Sequence, residues 1–225
     1  MRRNNRAAMD SNSAEIRGDM KVIGLTGGVG AGKSTILKIL QETYGCQVIE
    51  ADAVGHDLMK PGGANYKAVV AAYGPEIVLR DGQIDRKKLA LLAFSSPEET
   101  KKLNSITHPN IHAAIADKIA CAREKGCLLL VLEAAMIHQA GLLSLCDEVW
   151  YVHVPAEIRK KRIMETRGYD EKRAEAVIKL QPSEREYRMM STWEIRNDVP
   201  LEEVQAQIAA LQFRLRQNGN GNRHI

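Results

Sequence analysis

Gly27-Gly28-Val29-Gly30-Ala31-Gly32-Lys33-Ser34 reads G-x-x-x-x-G-K-S and lies between an apolar run and an amphipathic one. Lys21 to Thr26 (KVIGLT) precedes it as a short predicted strand, and Ile36 to Tyr44 (ILKILQETY) spaces its apolar residues as a helix does. A strand before and a helix after turn a glycine-rich stretch into a cradle for phosphate. The glycines let the chain wrap an anion with its N–H groups turned inward, at dihedrals that a Cβ obstructs. The helix beginning near Lys33 adds the positive end of its dipole. Lys33 is expected at the β- and γ-phosphates as a point charge and the Ser34 hydroxyl at Mg²⁺. The predicted nucleotide set is therefore Gly27, Gly28, Val29, Gly30, Ala31, Gly32, Lys33, Ser34 and Thr35, with ATP and Mg²⁺ as its ligands. The loop does not say where the γ-phosphate goes.

The rest of the chain alternates. Gln47 to Glu50, Leu128 to Glu133 (LLLVLE) and Glu148 to His153 (EVWYVH) are further predicted strands with helical patterns between them. Continuously apolar strands such as LLLVL predict a parallel sheet covered on both faces. Two stretches interrupt the pattern. From about Asp57 to Asn104 the chain is broken by Pro61, Gly62, Gly63, Gly74, Pro75, Gly82 and Pro97, which predicts several short helices inserted after the second strand. Ala156 to Met190 is dense in Arg, Lys and Glu at helical spacing, with breaks at Gly168 and Pro182, and most of those charges read as a solvated face. Leu201 to about Leu215 closes the chain as an amphipathic helix before a polar tail. The expected organisation is a disordered extension over 1–19, with Met20 an alternative start, a core from 20–56, 105–155 and 191–217, an insertion over 57–104, a charged helical segment over 156–190 and a disordered tail over 218–225.

Charge and composition narrow the partners. The net charge of +4 resides in the two ends, since residues 1–19 carry a net +1 and Arg214, Arg216 and Arg223 supply the remainder. A neutral body lacks the field that gathers a polyanion, and an aromatic content of 4% provides few rings on which bases stack, so no nucleic-acid partner is expected. Cys46, Cys121, Cys127 and Cys146 fall singly, without CxxC spacing, and read as reduced thiols. No run approaches the roughly 20 apolar residues of a membrane span. A cytoplasmic monomer or weak homo-oligomer is expected, with no membrane partner.

Two rivals share the loop. Asp52-Ala53-Val54-Gly55 matches the DxxG of a GTPase switch, but no NKxD follows to read guanine. Leu128 to Glu133 resembles the strand and acid of a Walker B site, as in a regulatory or mechanical ATPase, yet the chain leaves little room for further sensor elements. Glu133 either serves Mg²⁺ through water or caps the next helix. Asp52, at the end of the second strand, lies where ligands of doubly wound sheets gather. It either deprotonates an acceptor hydroxyl or caps the helix over Ala53 to Met59.

Several dispersed segments resemble the dephospho-coenzyme A kinase family over about Met20 to Leu215. GLTGGVGAGKS at Gly24 to Ser34, EADAVGHDLMKPGG at Glu50 to Gly63, YGPEIVLRDGQIDRKKLALLAF at Tyr73 to Phe94 and LNSITHPNI at Leu103 to Ile111 carry the likeness. Arg162 and Arg167 fit the family's R-x4-R lid pattern, Gln181 its following glutamine and Asn197 the asparagine after its last strand. The resemblance implies a P-loop NTPase three-layer α/β/α fold with a five-stranded parallel sheet, a helical insertion that receives the pantetheine arm and a helical lid over 156–190. It further implies transfer of the γ-phosphate of ATP to the ribose 3′-hydroxyl of dephospho-coenzyme A, with Asp52 as base. Five apart on one helix, Arg162 and Arg167 are less than 180° apart round its axis and can both lean over the phosphates; the alternative is surface pairing with Glu165 or Glu171. Arg86 holds a substrate phosphate or pairs with Asp81 or Asp85. His108 contacts the acceptor or packs a turn before Pro109. His56 stands where the family often places a basic residue. Asn197 reads the adenine edge or forms a turn before Val199-Pro200. The chain departs from the family in Glu50 for a usual aspartate, Ala135 for proline and Gln139 for glutamate.

Overall fold

The computed structural model describes residues 20–220, apart from the side chains of Arg216 and Asn218–Asn220. The extension expected over 1–19 and residues 221–225 of the expected tail lie outside the described residues. Five strands, β1 (Lys21–Thr26), β2 (Gln47–Glu50), β3 (Leu129–Glu133), β4 (Glu148–His153) and β5 (Trp193–Arg196), form one parallel sheet in the order β2-β3-β1-β4-β5. β1 lies at its centre, and β3 and β1 are buried along nearly their whole length because helices cover both faces.

The two faces have separate cores. Ile23 and Leu25 of β1, Leu129 and Val131 of β3, and Trp150 and Val152 of β4 point to one side. There they meet Ile36 and Leu40 of α1 (Lys33–Tyr44) and Val204 and Ile208 of α9 (Leu201–Asn220). The alternate residues Val22, Leu130, Leu132 and Val149 point to the other side. They meet Val54 of α2 (Ala51–Leu58) and Ile115 and Ile119 of α5 (Pro97–Glu124). The period-two alternation thus sorts equally apolar side chains between two layers rather than between core and water. Among the described residues, no helix is long and apolar enough to cross a membrane.

The segment after β2 carries its own small core of Val69, Tyr73, Ile77, Ile84, Leu89 and Ala93. α3 (Tyr66–Tyr73) and α4 (Arg86–Ala93) belong to it, and Asp85 starts α4 by accepting from the N–H groups of Lys87 and Lys88. The expected series of short helices ends sooner than its prolines suggest. Ser96 caps α5 and Pro97 occupies its first position, where a missing N–H costs nothing, and the helix then runs on past Asn104 to Glu124. Pro109 lies inside it, so the turn expected at His108 is helical. An interior proline costs about 3 kcal/mol, and packing on both sides of that defect, by Leu103 and Ile106 before it and Ile115, Ile119 and Ala122 after it, holds the helix together.

Three helices make up the charged segment: α6 (Ala156–Arg167), α7 (Glu171–Lys179) and α8 (Glu184–Met190). Asp170 caps α7, and Ser183 with Glu186 forms a reciprocal capping box on α8. Gly168, in the left-handed region at φ 64°, ends α6 where the sequence predicted a break. α9 continues to Asn220, so the first residues of the stretch expected as an unpacked tail are helical.

Candidate active site

The functional side chains collect at the carboxyl ends of β1, β2 and β3, where the chain leaves the sheet and backbone groups are free to face a ligand. A cavity of about 570 Å³ opens there, with Gly28, Val29, Gly30, Gly32, Lys33 and Ser34 of the glycine loop on its wall. Gly27, Ala31 and Thr35 belong to the predicted set but are not part of that wall. The Ala31 side chain is buried in the core beneath the loop, and Thr35 is an exposed position of α1.

Lys33 opens α1 and turns back over the loop. Its Nζ donates to the Gly27 carbonyl at 2.9 Å and lies 3.3 Å from Oε1 of Glu133 at the end of β3. Both side chains are about 15% exposed, at 15% and 14%, so the pair is largely out of water. Burial pushes the Glu133 carboxyl above its ordinary range, Lys33 opposes that shift, and Asp52 and Glu50 reinforce it. The capping alternative for Glu133 does not hold, because β3 runs into turns and a 3-10 segment (Gln139–Leu145) rather than an α-helix.

Arg162 and Arg167 of α6 both line the cavity, as does Thr166 between them. Arg162 reaches across the loop, donating from Nη2 to the Asn197 carbonyl at 3.0 Å and from Nη1 to the Gly30 carbonyl at 3.5 Å. Neither arginine pairs with Glu165 or Glu171 among the described residues, and Lys160 takes Glu171 instead. Asn197, immediately after β5, directs its amide at the loop: Nδ2 donates to the Ala31 carbonyl at 2.7 Å. Gly32 is in the left-handed region at φ +83°, and a Cβ there would fall on that amide nitrogen. One of the two N–H donors of the Asn197 amide is thus engaged in bracing the loop.

Asp52 occupies the first turn of α2 and is exposed. It does not cap the helix, since Glu50 is the N-cap and makes no side-chain capping bond. Among the described residues no protein donor or cation holds its carboxylate. Asp52 lines the glycine-loop cavity and also a second cavity of about 330 Å³ between α2, α4 and α5. The wall of the second cavity is mostly apolar, from Met59, Leu89, Phe94, Leu103 and Ile111, with Arg86 and His56 at its polar side. Arg86 makes no ion pair with Asp81 or Asp85 among the described residues; Asp85 serves the α4 cap and Asp81 holds Gln83. His108 follows Thr107 on α5 but is not part of this wall, and burial lowers its pKa.

Two contributors escape a reading of pattern alone. Gln181 Oε1 accepts from the Val29 N–H at 2.9 Å and from Arg159 Nη1 at 3.2 Å, joining the segment between α7 and α8 to the glycine loop. Arg159 is 5% exposed, although it lies in a run of charges that reads as solvated. The available signal was its spacing: Arg159 and Ile163 stand four apart, which places the arginine on the buried stripe of α6.

A model of the dephospho-CoA kinase family matches residues 21–203. A dephospho-CoA kinase of Corynebacterium diphtheriae is 42% identical over 178 residues, covering 79% of this chain and 88% of that protein. A dephospho-CoA kinase of Carboxydothermus hydrogenoformans is 38% identical over 192 residues, covering 85% and 93%. Among solved structures, a Thermus thermophilus protein aligns over 88% of this chain and 98% of its own with a TM-score of 0.74 and 28% identity.

Proposed function

The chain belongs to the dephospho-coenzyme A kinase family, and we propose that its ATP-dependent phosphorylation of dephospho-coenzyme A, the last step of coenzyme A biosynthesis, takes place where the two cavities meet at Asp52. The observation that carries this reading is that one unencumbered carboxylate borders both spaces. The glycine-loop cavity offers backbone donors, an ammonium and two guanidinium groups, which suit a triphosphate. The second offers a mostly apolar wall that also carries Arg86 and His56, which suits the pantetheine arm of the acceptor and a phosphate beside it. A ribose hydroxyl at the junction lies beside Asp52.

Phosphoryl transfer needs positioning and charge neutralisation more than covalent help. Asp52 accepts the proton from the 3′-hydroxyl oxygen as that oxygen attacks the γ-phosphorus and the bond from phosphorus to the bridging oxygen breaks, releasing ADP. Lys33 and Arg162 hold charge that builds on the transferred group, and Arg167 adds to it from the rim. Arg162 and Arg167 stand on the lid segment over 156–190, which on this reading keeps water from competing with the sugar. Ser34 Oγ, with the Glu133 carboxylate on the same cavity wall, is the hard-oxygen pair that would hold Mg²⁺, Glu133 through water. When bound, the ion supplies neutralisation of the β- and γ-oxygens. His108, off the acceptor wall, is assigned to supporting α5. We place the reaction in the cytoplasm, in a monomer or weak homo-oligomer without nucleic-acid or membrane partners, in keeping with the neutral body and single thiols.

The test is a coupled ADP-release assay comparing dephospho-coenzyme A, nucleosides and water as acceptors. ADP release is expected to rise well above the water rate with dephospho-coenzyme A alone, and equal rates would overturn the acceptor assignment. A second expectation concerns Asn197. Asn197→Ala removes one part-buried hydrogen bond from the loop, a net effect of about 1 kcal/mol, so KM for ATP should rise about fivefold with KM for the acceptor unmoved. An unchanged KM for ATP would show that the loop keeps its shape without this brace.

A further inference from the structure

Arg159 is a buried cation without a counter-charge. It is 5% exposed, and among the described residues no carboxylate comes within 4.0 Å of it. Of the five N–H bonds of a guanidinium, one finds Gln181 Oε1, at 3.2 Å, and Nε is buried with no acceptor. Its phenolic neighbours, Tyr151 and Tyr187, are neutral, and burial pushes both up to about 12. Arg159 also lies in the first turns of α6, where the helix dipole is itself positive. Burying a charge under such conditions is unfavourable unless something opposite in sign faces it.

What the guanidinium faces is the glycine loop. A Cβ at Gly28 would fall on Arg159 Nη1, and one at Gly30 would lie 2.8 Å from the Arg159 carbonyl. The residue is not part of the cavity wall, whereas Gly28, against whose backbone its Nη1 packs, is. Gln181 connects it to the Val29 N–H through a shared acceptor oxygen. Lys33, the other largely buried cation of this region, already has Glu133, whereas among the described residues Arg159 has no carboxylate.

We propose that Arg159 is a positioning residue whose counter-charge is the polyphosphate of the bound nucleotide, felt across one layer of loop backbone. This rests on the reading that the loop holds the phosphates of ATP. The charge destabilises the free enzyme and is relieved on binding, so it contributes to affinity for ATP without touching it. Through Gln181 it also holds the Gly28-Val29-Gly30 backbone in place. A residue that only packs predicts loss of stability on replacement; a charge balanced by ligand predicts the reverse sign in the free enzyme.

The full-length protein with Arg159→Met, Arg159→Gln and Arg159→Lys is compared with the unaltered chain by ligand-free Tm, by calorimetric Kd for Mg-ADP and by KM for each substrate. Arg159→Met should keep or raise the ligand-free Tm, weaken Mg-ADP and raise KM for ATP about tenfold, and leave KM for dephospho-coenzyme A within about twofold. Arg159→Lys should recover most of the affinity because it restores charge. A lowered Tm with unchanged Mg-ADP affinity in Arg159→Met overturns the inference and leaves a packing role. Should Arg159→Met not fold, equal Mg-ADP affinities of the Lys and Gln variants overturn it, and a Lys variant that binds several-fold more tightly supports it. If the unaltered protein does not bind Mg-ADP at all, the phosphate reading of the loop falls first and this inference with it.

Discussion

Asp52→Asn is expected to lower kcat at saturating Mg-ATP and dephospho-coenzyme A by about 10²–10⁴-fold, the usual contribution of a positioned general base, while leaving the Kd for ATP within about twofold. The substitution exchanges an oxygen for an amide nitrogen of nearly the same size, so both cavities that Asp52 lines keep their walls. It also breaks nothing in the free protein: the carboxylate holds no helix cap, and among the described residues it has no protein donor to lose. Stability should therefore be unmoved, which makes the kinetic effect readable as chemistry. Because the proton acceptor acts after both substrates are bound, the loss belongs in kcat rather than in either KM. Single-turnover rates with bound nucleotide check it directly. Near-normal turnover in the variant would remove Asp52 from the role of base and leave the junction of the cavities without a chemical purpose.

How far the sequence led depends on whether the determinant was local. The glycine loop, β1 and the start of α1 follow from eight residues and their immediate flanks, because the dihedrals, the dipole and the ammonium are set within that span. The apolar strands β3 and β4 were equally plain, being buried on both faces. β5 was not located by pattern: four residues with one fully buried side chain carry too little signal, and the strand exists because β4 offers it an edge. Pro109 misled for a similar reason. Propensity forbids an interior proline, and only the packing of α5 against the sheet, invisible along the chain, overrides it. Asn197 came from resemblance alone, and its direction, toward Ala31, is a fact of tertiary structure. Arg159 was the hardest. Charge density argued for water, and the contrary signal was a single i,i+4 relation to Ile163.

Lys33→Ala should damage the enzyme in two separable ways. In the free protein the Gly27 carbonyl loses its 2.9 Å donor and Glu133 its ammonium at 3.3 Å, both in a setting that is largely out of water. An unpaired buried group costs about 1–3 kcal/mol, and Glu133, already pushed up by burial, moves further toward its protonated form, which limits the loss. The ligand-free Tm should fall modestly. With substrate the effect is larger: on the proposed reading a point charge at the β- and γ-phosphates is removed from both the bound and the transition state, so kcat/KM for ATP should drop by about 10³-fold or more, with both KM raised and kcat lowered. Adding Glu133→Gln separates the two. The double variant no longer strands a carboxylate, so its Tm should return most of the way, whereas its kcat/KM should stay as low as that of Lys33→Ala. Thermal unfolding and steady-state kinetics on the four proteins of this cycle decide it. If activity returned together with stability, the ammonium would be only a partner for Glu133, and the phosphates would have to be held by the loop backbone and the arginines of α6.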